Sequence, residues 1–319
     1  CASREAGKLS GLHHNLYFRS LESALSFQTK LLPYSDLTDG RPTIYLTSRQ
    51  LLERVLEHPG CQFAPAHLFN PYFSSLGSKE NHPSLQELFG DLAPHISLVE
   101  MGLTSNPGMC RRLSDLDAYG LLACSDAHSP EKIGREYTLI ETIDDFDSLF
   151  AALCDKTGRM LRGTVKFPIE RTRYFLNYCS RCKDSYSGIV CPKCKNGLAV
   201  GSRDRVRFLA DRESPDAIEG EPQAVTLLPL HQILSDAFHV RPENKKIEFL
   251  YSRLISLAGN ERFILTEATY DVLAEASISD VASSILKWRK SAGPRFAERE
   301  SFNDKAPRRS DGQTFFSFE

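Results

Sequence analysis

The chain has 319 residues, 41% of them hydrophobic and 25% charged, with a formal net charge of −2. These proportions fit a folded protein of one large or two smaller domains and exclude disorder, collagen-like sequence and coiled coil as the main architecture. No apolar run reaches the roughly 18 residues that a bilayer span requires, so an integral membrane protein is not expected.

The first residue is Cys1, and Cys1–Leu9 is polar, without the apolar core of a secretory signal; the absent initiator Met reads as the start of a fragment of a longer chain. His14 precedes the apolar Leu16-Tyr17-Phe18 and is expected on a strand. Thr43–Leu46 reads as a strand, after which Ser48 is expected to cap a helix over Arg49–Glu57 that Pro59-Gly60 stops. Gln62–Ala66 reads as a strand ending at His67, followed by a Gly/Ser/Pro-rich loop over Asn70–Pro83 and a short helix over Leu85–Phe89. Further strands are expected at Ile96–Val99, ending at Glu100, and at Leu121–Cys124, ending in Ser125-Asp126-Ala127-His128; Asp144–Cys154 reads as a helix. Such β-then-α repetition predicts a parallel sheet or barrel covered on both faces.

His67, Glu100, Asp126 and His128 fall at or just past the carboxyl ends of predicted strands, where the loops of α/β folds build active sites. His14 is expected on a strand of the same barrel. Taken singly, a strand-end histidine is a satisfied structural residue. Three histidines with an aspartate and a glutamate form a donor set suited to zinc, manganese or iron, ions that activate water for phosphoester hydrolysis. His13, His58, His82, His95, His231 and His239 read as structural or surface residues.

The second half differs in charge and chemistry. Leu161–Arg212 carries twelve Lys/Arg against four Asp/Glu, a local +8 that leaves the remainder at −10. This reads either as a polyanion-binding module on an acidic body or as a solvated basic surface. Within it stands Cys179-x2-Cys182-x8-Cys191-x2-Cys194. Two such knuckles can bring four thiolates onto one ion, the closed geometry of a structural zinc site; a redox pair or an iron–sulfur cluster fits the paired spacing less well. Cys1, Cys61, Cys110, Cys124 and Cys154 are scattered and read as incidental or buried thiols. Arg203–Arg207 and Leu209–Arg212 form a short basic element, Pro229–Phe238, Lys246–Leu257, Tyr270–Ala276 and Asp280–Trp288 carry helical spacing, and Lys290–Gln313 reads as a polar loop or disordered tail.

Several motifs occur in order: Pro65-Ala66-His67, Pro71–Lys79, Val99–Ser105, Arg112–Asp117, Ser125–Pro130, Gly134-Arg135-Glu136, Arg162–Phe167, the four-cysteine ribbon, and Leu209–Arg212. The series resembles the PHP-domain endonuclease Q family over most of the chain, weakening beyond Leu230. The resemblance implies an α/β fold: a PHP-type distorted β/α barrel, here with its first strands missing, over residues 1–158. A basic four-cysteine zinc ribbon would follow over 159–212, and a helical region with a polar tail over 213–319. It implies a DNA-repair endonuclease, located in the cytoplasm with the nucleoid, that hydrolyses the phosphodiester 5′ to deaminated bases (uracil, hypoxanthine, xanthine) or abasic sites. Its partner would be damaged DNA, without a membrane and with other repair or replication proteins unspecified.

On this resemblance His14, His67, Asp126 and His128 are metal ligands for divalent Zn, Mn or Mg, and Glu100 positions substrate or water. Arg135 and Lys79 contact phosphate, and Arg203, Arg205 and Arg207 bind DNA. Cys179, Cys182, Cys191 and Cys194 hold structural Zn. Phe69–Phe73 is expected to wall the base pocket. The family's amino-terminal His-x-His has no counterpart before His14, so the fragment is expected to lack part of the metal ring. The alternatives are a PHP phosphoesterase acting on a small phosphorylated metabolite and a catalytically dead zinc-ribbon DNA-binding protein.

Overall fold

The computed structural model describes residues 2–4, 11–38, 42–140, 145–154, 161–215, 224–276 and 279–291; the tail expected over Lys290–Gln313 lies outside them from residue 292 onward. The chain divides into two compact units, Cys1–Thr226 and Leu227–Glu319.

In the first unit, strands β1 (Ala2–Arg4), β2 (Gly11–Phe18), β3 (Thr43–Ile44) and β4 (Cys61–Pro65) form one sheet in the order β3-β1-β2-β4. Strand β2 runs antiparallel to β1 and β4, with His14 opposite Pro65. Helices α1 (Leu21–Leu31) and α2 (Ser48–Leu56) alternate with these strands. The cap of α2 is Thr47, one residue earlier than Ser48: the Thr47 hydroxyl accepts the Gln50 N–H and the Gln50 side chain returns to the Thr47 N–H. This reciprocal capping box satisfies two donors at once, an advantage that Ser48 at the cap position lacks.

After α3 (Leu85–Phe89), β5 (Leu98–Glu100) pairs in parallel with β6 (Gly120–Leu122), on either side of the short α4 (Pro107–Cys110). Strands β7 (Tyr137–Ile140) and β8 (Leu161–Lys166) flank α5 (Phe146–Leu153), which Asp145 caps. Strand β8 is antiparallel to β7 and parallel to the later β11 (Ala224–Thr226), so one sheet draws on strands from either side of residues 158 and 212. The expected parallel sheet is therefore mixed. Parallel pairing survives at β5–β6, whereas β2–β4 and β7–β8 are antiparallel.

One core lies beneath this unit, where Leu12, Phe27, Ile44, Leu51, Leu52, Phe63, Phe69, Phe89, Val99 and Met101 cluster. Each fully buried Leu or Phe contributes about 1.5–3 kcal/mol. A two-stranded ribbon, β9 (Asn177–Cys179) with β10 (Asp184–Tyr186), precedes α6 (Ser202–Leu209), whose Val206 joins that core. The second unit is helical: α7 (Leu230–Phe238), α8 (Lys245–Ala258), α9 (Glu261–Thr266), α10 (Tyr270–Ala276) and α11 (Ser279–Ser291). Among the described residues no helix is long and apolar enough to cross a membrane.

Candidate functional site

Alternation along β2 decides which histidine reaches the site. Leu12 and His14 point into the core, while His13 and Asn15 lie on the opposite face. His14 is buried, shares a hydrogen bond from Nε2 with the Ser48 hydroxyl (2.8 Å), and packs its ring 4.7 Å from that of Phe63. Burial holds its pKa well below the ordinary value. His14, expected as a metal ligand, is thus placed in the core, and its neighbour His13 on the face toward His67. His13 Nδ1 lies 3.1 Å from His67 Nε2, and the His13 ring stacks on Phe73 with centroids 5.0 Å apart.

His67, just past β4, adopts a left-handed φ of 34°, and Asp126, past β6, one of 45°. Such conformations in non-glycine residues cost energy and collect at functional sites. The Ser74 hydroxyl donates to the His67 carbonyl (2.7 Å) and faces His67 Nδ1 at 2.9 Å. With its proton spent on the carbonyl, Ser74 accepts Nδ1–H, which leaves the Nε2 lone pair directed at His13. Burial first of all lowers the His67 pKa to about 4, keeping the ring neutral as a ligand must be. Two imidazole nitrogens 3.1 Å apart have the spacing of neighbouring donors on one ion with metal–nitrogen bonds of about 2.0–2.1 Å.

Glu100 closes β5 beneath this pair. Its Oε2 accepts from the Asn15 amide (2.8 Å) and the His67 backbone N–H (3.3 Å). Burial, assisted by the nearby Asp126 charge, raises its pKa to about 7. Asp126 and His128 are exposed, with His128 Nδ1 2.8 Å from the Asp126 carbonyl and 3.8 Å from its carboxylate. Among the described residues, the four cysteines are the one group of three or more metal-ligating side chains whose donor atoms lie within 4.8 Å of one another. His67, Asp126 and His128 do not form such a group.

The expected cations divide. Arg135 turns inward, donating from Nε to the Ser125 carbonyl (2.7 Å) and from Nη2 to the Asp126 carbonyl (3.1 Å), so these donors grip the loop rather than a phosphate. Lys79 is exposed at the loop edge. Arg205, expected to contact DNA, is placed inside the fold, where it is buried and donates to the Leu76 carbonyl, the Asn81 side-chain oxygen and the His82 carbonyl at 2.8–2.9 Å. Helix α6 turns this one arginine of the basic cluster inward beside Val206. Arg203 and Arg207 both pair with Asp204, Arg207 from an exposed position. Of the Phe69–Phe73 stretch expected to wall the base pocket, Phe69 is a core residue and Phe73 stands half exposed against His13.

The four cysteines of the ribbon converge as their spacing predicts. Cys179 and Cys194 sulfurs lie 3.5 Å apart, Cys182 and Cys191 3.8 Å. A tetrahedral ion with metal–sulfur bonds of about 2.3 Å places its sulfurs about 3.8 Å apart, so the four thiols fit zinc. Each knuckle closes alike: Lys183 (φ 54°) and Lys195 (φ 63°) are left-handed, and their N–H groups return to the carbonyls of Cys179 and Cys191.

Sequence reading passed over His13, Asn15, Ser74, and a buried Glu136–Lys166 pair. The signal for His13 was the period of two in Leu12-x-His14-x-Leu16, which puts His14 on the apolar face. No local signal marks Ser74 or the buried pair.

Residues 114–157 match the family model described as PHP-associated. The chain is 31% identical to the uncharacterized protein YqxK of Bacillus subtilis over 77% of its own length and 60% of that protein's. It is 28% identical to the uncharacterized protein MJ0043 of Methanocaldococcus jannaschii over 60% of its length and 26% of that protein's. The chain thus spans less than two thirds of the length of each of these curated relatives. Among solved structures it is similar to the lesion-specific endonuclease PfuEndoQ of Pyrococcus furiosus, at 27% identity and a TM-score of 0.75, covering 88% of this chain and 71% of that one. It is also similar to Endonuclease Q in complex with a 27-mer duplex carrying an abasic lesion at the active site, at 26% identity and a TM-score of 0.77, covering 89% and 75% of the two chains.

Proposed function

We propose that the chain is a PHP-domain protein of the endonuclease Q kind and works in a metal-dependent DNA-repair endonuclease that hydrolyses the phosphodiester 5′ to a deaminated base or an abasic site. The observation that carries this reading is the likeness, over 89% of the chain, to an Endonuclease Q bound to duplex DNA with an abasic lesion.

In this reading His13, His67, Asp126 and His128 hold divalent ions; the 3.1 Å spacing of the His13 and His67 nitrogens and the neutral His67 ring support the donor set. When bound, such ions lower the pKa of coordinated water and neutralise charge on the scissile phosphate. The chain's own residues prepare that site. Ser74 keeps the His67 proton on Nδ1, Glu100 Oε2 holds the His67 backbone N–H, and Arg135 sets the Asp126 loop. Lys79, Arg203 and Arg207 supply backbone-tracking charge, and Phe73 offers an aromatic face for an unstacked base. The ribbon holds zinc structurally, since four sulfurs leave no open position.

The test is nicking of end-labelled duplexes containing uracil, hypoxanthine or an abasic site, with Mn2+ or Mg2+. Cleavage is expected 5′ to the lesion. Asp126→Asn removes a ligand charge at constant size and should abolish nicking while DNA binding survives. Equal cleavage of undamaged duplex would overturn lesion recognition, and full activity of Asp126→Asn would overturn the ligand assignment.

A further inference from the structure

Two adjacent residues at the entry of β7 reach in opposite directions to the two strained parts of the site. Arg135 grips the Ser125 and Asp126 carbonyls, on the loop where Asp126 sits at φ 45°. Glu136, fully buried, receives the equally buried Lys166 ammonium at Oε2 (2.5 Å) and the Phe167 N–H at Oε1 (2.9 Å). Lys166 also donates to the Gly102 carbonyl at 2.8 Å.

Gly102 itself is pressed against His67. A Cβ built there would stand 2.5 Å from the His67 Cβ and 2.7 Å from its Cα, and Gly102 has φ 71°. Only glycine tolerates both that approach and that conformation. The ion pair therefore fixes the carbonyl of the residue on which His67 rests.

Burying two charges is expensive and gives little net stability compared with an apolar pair of the same volume. A buried pair whose lysine gives a further hydrogen bond to one backbone carbonyl beneath a site residue suits positioning. We propose that Arg135, Glu136 and Lys166 form a brace that holds His67, through Gly102, and Asp126, through its loop carbonyls, in fixed relative position. The importance of the brace for metal binding rests on the function proposed above, whereas its effect on the geometry of His67 does not. None of the three touches the reacting atoms in this scheme; they are positioning residues.

The experiment compares wild type with Glu136→Gln/Lys166→Met, with Arg135→Gln and with Gly102→Ala. The double variant removes both charges together and leaves no unpaired ion in the core, while Gly102→Ala disturbs the contact through added volume and backbone strain with the ion pair left in place. Ribbon zinc content and a cooperative thermal transition report that each variant is folded. The first readout is the imidazole NMR signals of His67 and His128 without added metal; the second is Mn2+ affinity, followed by loss of the free-ion EPR signal. The double variant and Gly102→Ala should shift or broaden the His67 signals, Arg135→Gln those of His128, and each should weaken Mn2+ binding about 10–100-fold, the usual cost of losing an outer support. Folded variants with unmoved histidine signals overturn the brace. If the signals move but wild type neither binds Mn2+ nor nicks lesion DNA, the brace stands and the nuclease reading fails. Moved signals with unchanged Mn2+ affinity in a wild type that does bind the ion would refute the brace's role in metal binding.

Discussion

Replacing Glu100 by Gln should make the metal-free protein more stable in base and leave it nearly unchanged in acid. Burial raises the Glu100 pKa from an ordinary 4.5 to about 7. The folded state therefore holds a proton that the unfolded chain releases between those values, and stability drains away as pH rises from 4.5 to 7. One pKa unit corresponds to about 1.4 kcal/mol, so the full loss is about 3 kcal/mol by pH 8 and under about 1 kcal/mol at pH 4.5. Gln has no such proton to lose, and its side-chain oxygen can still accept from Asn15 and the His67 N–H, the two donors that Oε2 serves. His67 works in the other direction. Its pKa, lowered from 6.5 to about 4, makes stability rise with pH across that window. That contribution is common to both proteins and cancels in their difference. Urea unfolding at pH 4.5 and pH 8, without added divalent ion, measures the two differences. A Gln variant that gains nothing at pH 8, or gains equally at both, would refute the argument that desolvation dominates this carboxylate.

Three further outcomes separate the structural cations and histidines from the functional ones. Arg205→Ala removes three hydrogen bonds, the one to the Leu76 carbonyl fully buried, and should cost about 1–3 kcal/mol in denaturant melts. Arg203→Ala/Arg207→Ala should leave stability within about 1 kcal/mol but flatten the salt dependence of DNA binding, since each lost phosphate contact removes counterion release; an unchanged slope places the DNA path elsewhere. His14→Ala should destabilise by about 2 kcal/mol or more through a core void, with His13→Ala instead losing Mn2+ affinity at little cost in stability. Cys191→Ser should abolish zinc binding by the ribbon in metal analysis, and undiminished zinc would refute the four-thiolate site.

The ribbon was legible because its chemistry is local. Two Cys-x2-Cys turns separated by eight residues carry their ligand geometry in the spacing, and the sulfurs sit where that spacing puts them. The strand-end placement of His67, Glu100, Asp126 and His128 was legible for a related reason, since apolar runs mark strands and polar residues mark their ends. The choice between His13 and His14 was harder. A one-residue step along a strand exchanges the core face for the site face, and the step can be judged only with the flanking Leu12 and Leu16 in view. Arg205 shows the opposite limit: three arginines within five residues look equivalent as a charge run, yet the packing of α6 buries one and leaves Arg207 exposed.

By itself the sequence determined the α/β class, the paired four-cysteine knuckles, the order of the strand-end residues and the motifs that resemble the PHP-domain endonuclease Q family. All of these depend on neighbours within a few residues or on order along the chain. Tertiary structure alone decided that Ser74 orients His67, that Asn15 and Glu100 meet across 85 residues, and that Glu136 and Lys166 pair beneath Gly102. Those contacts depend on which loops converge at the strand ends. The free energy that brings them together comes from burying the apolar core below, and no residue within the local window of any of these side chains records it.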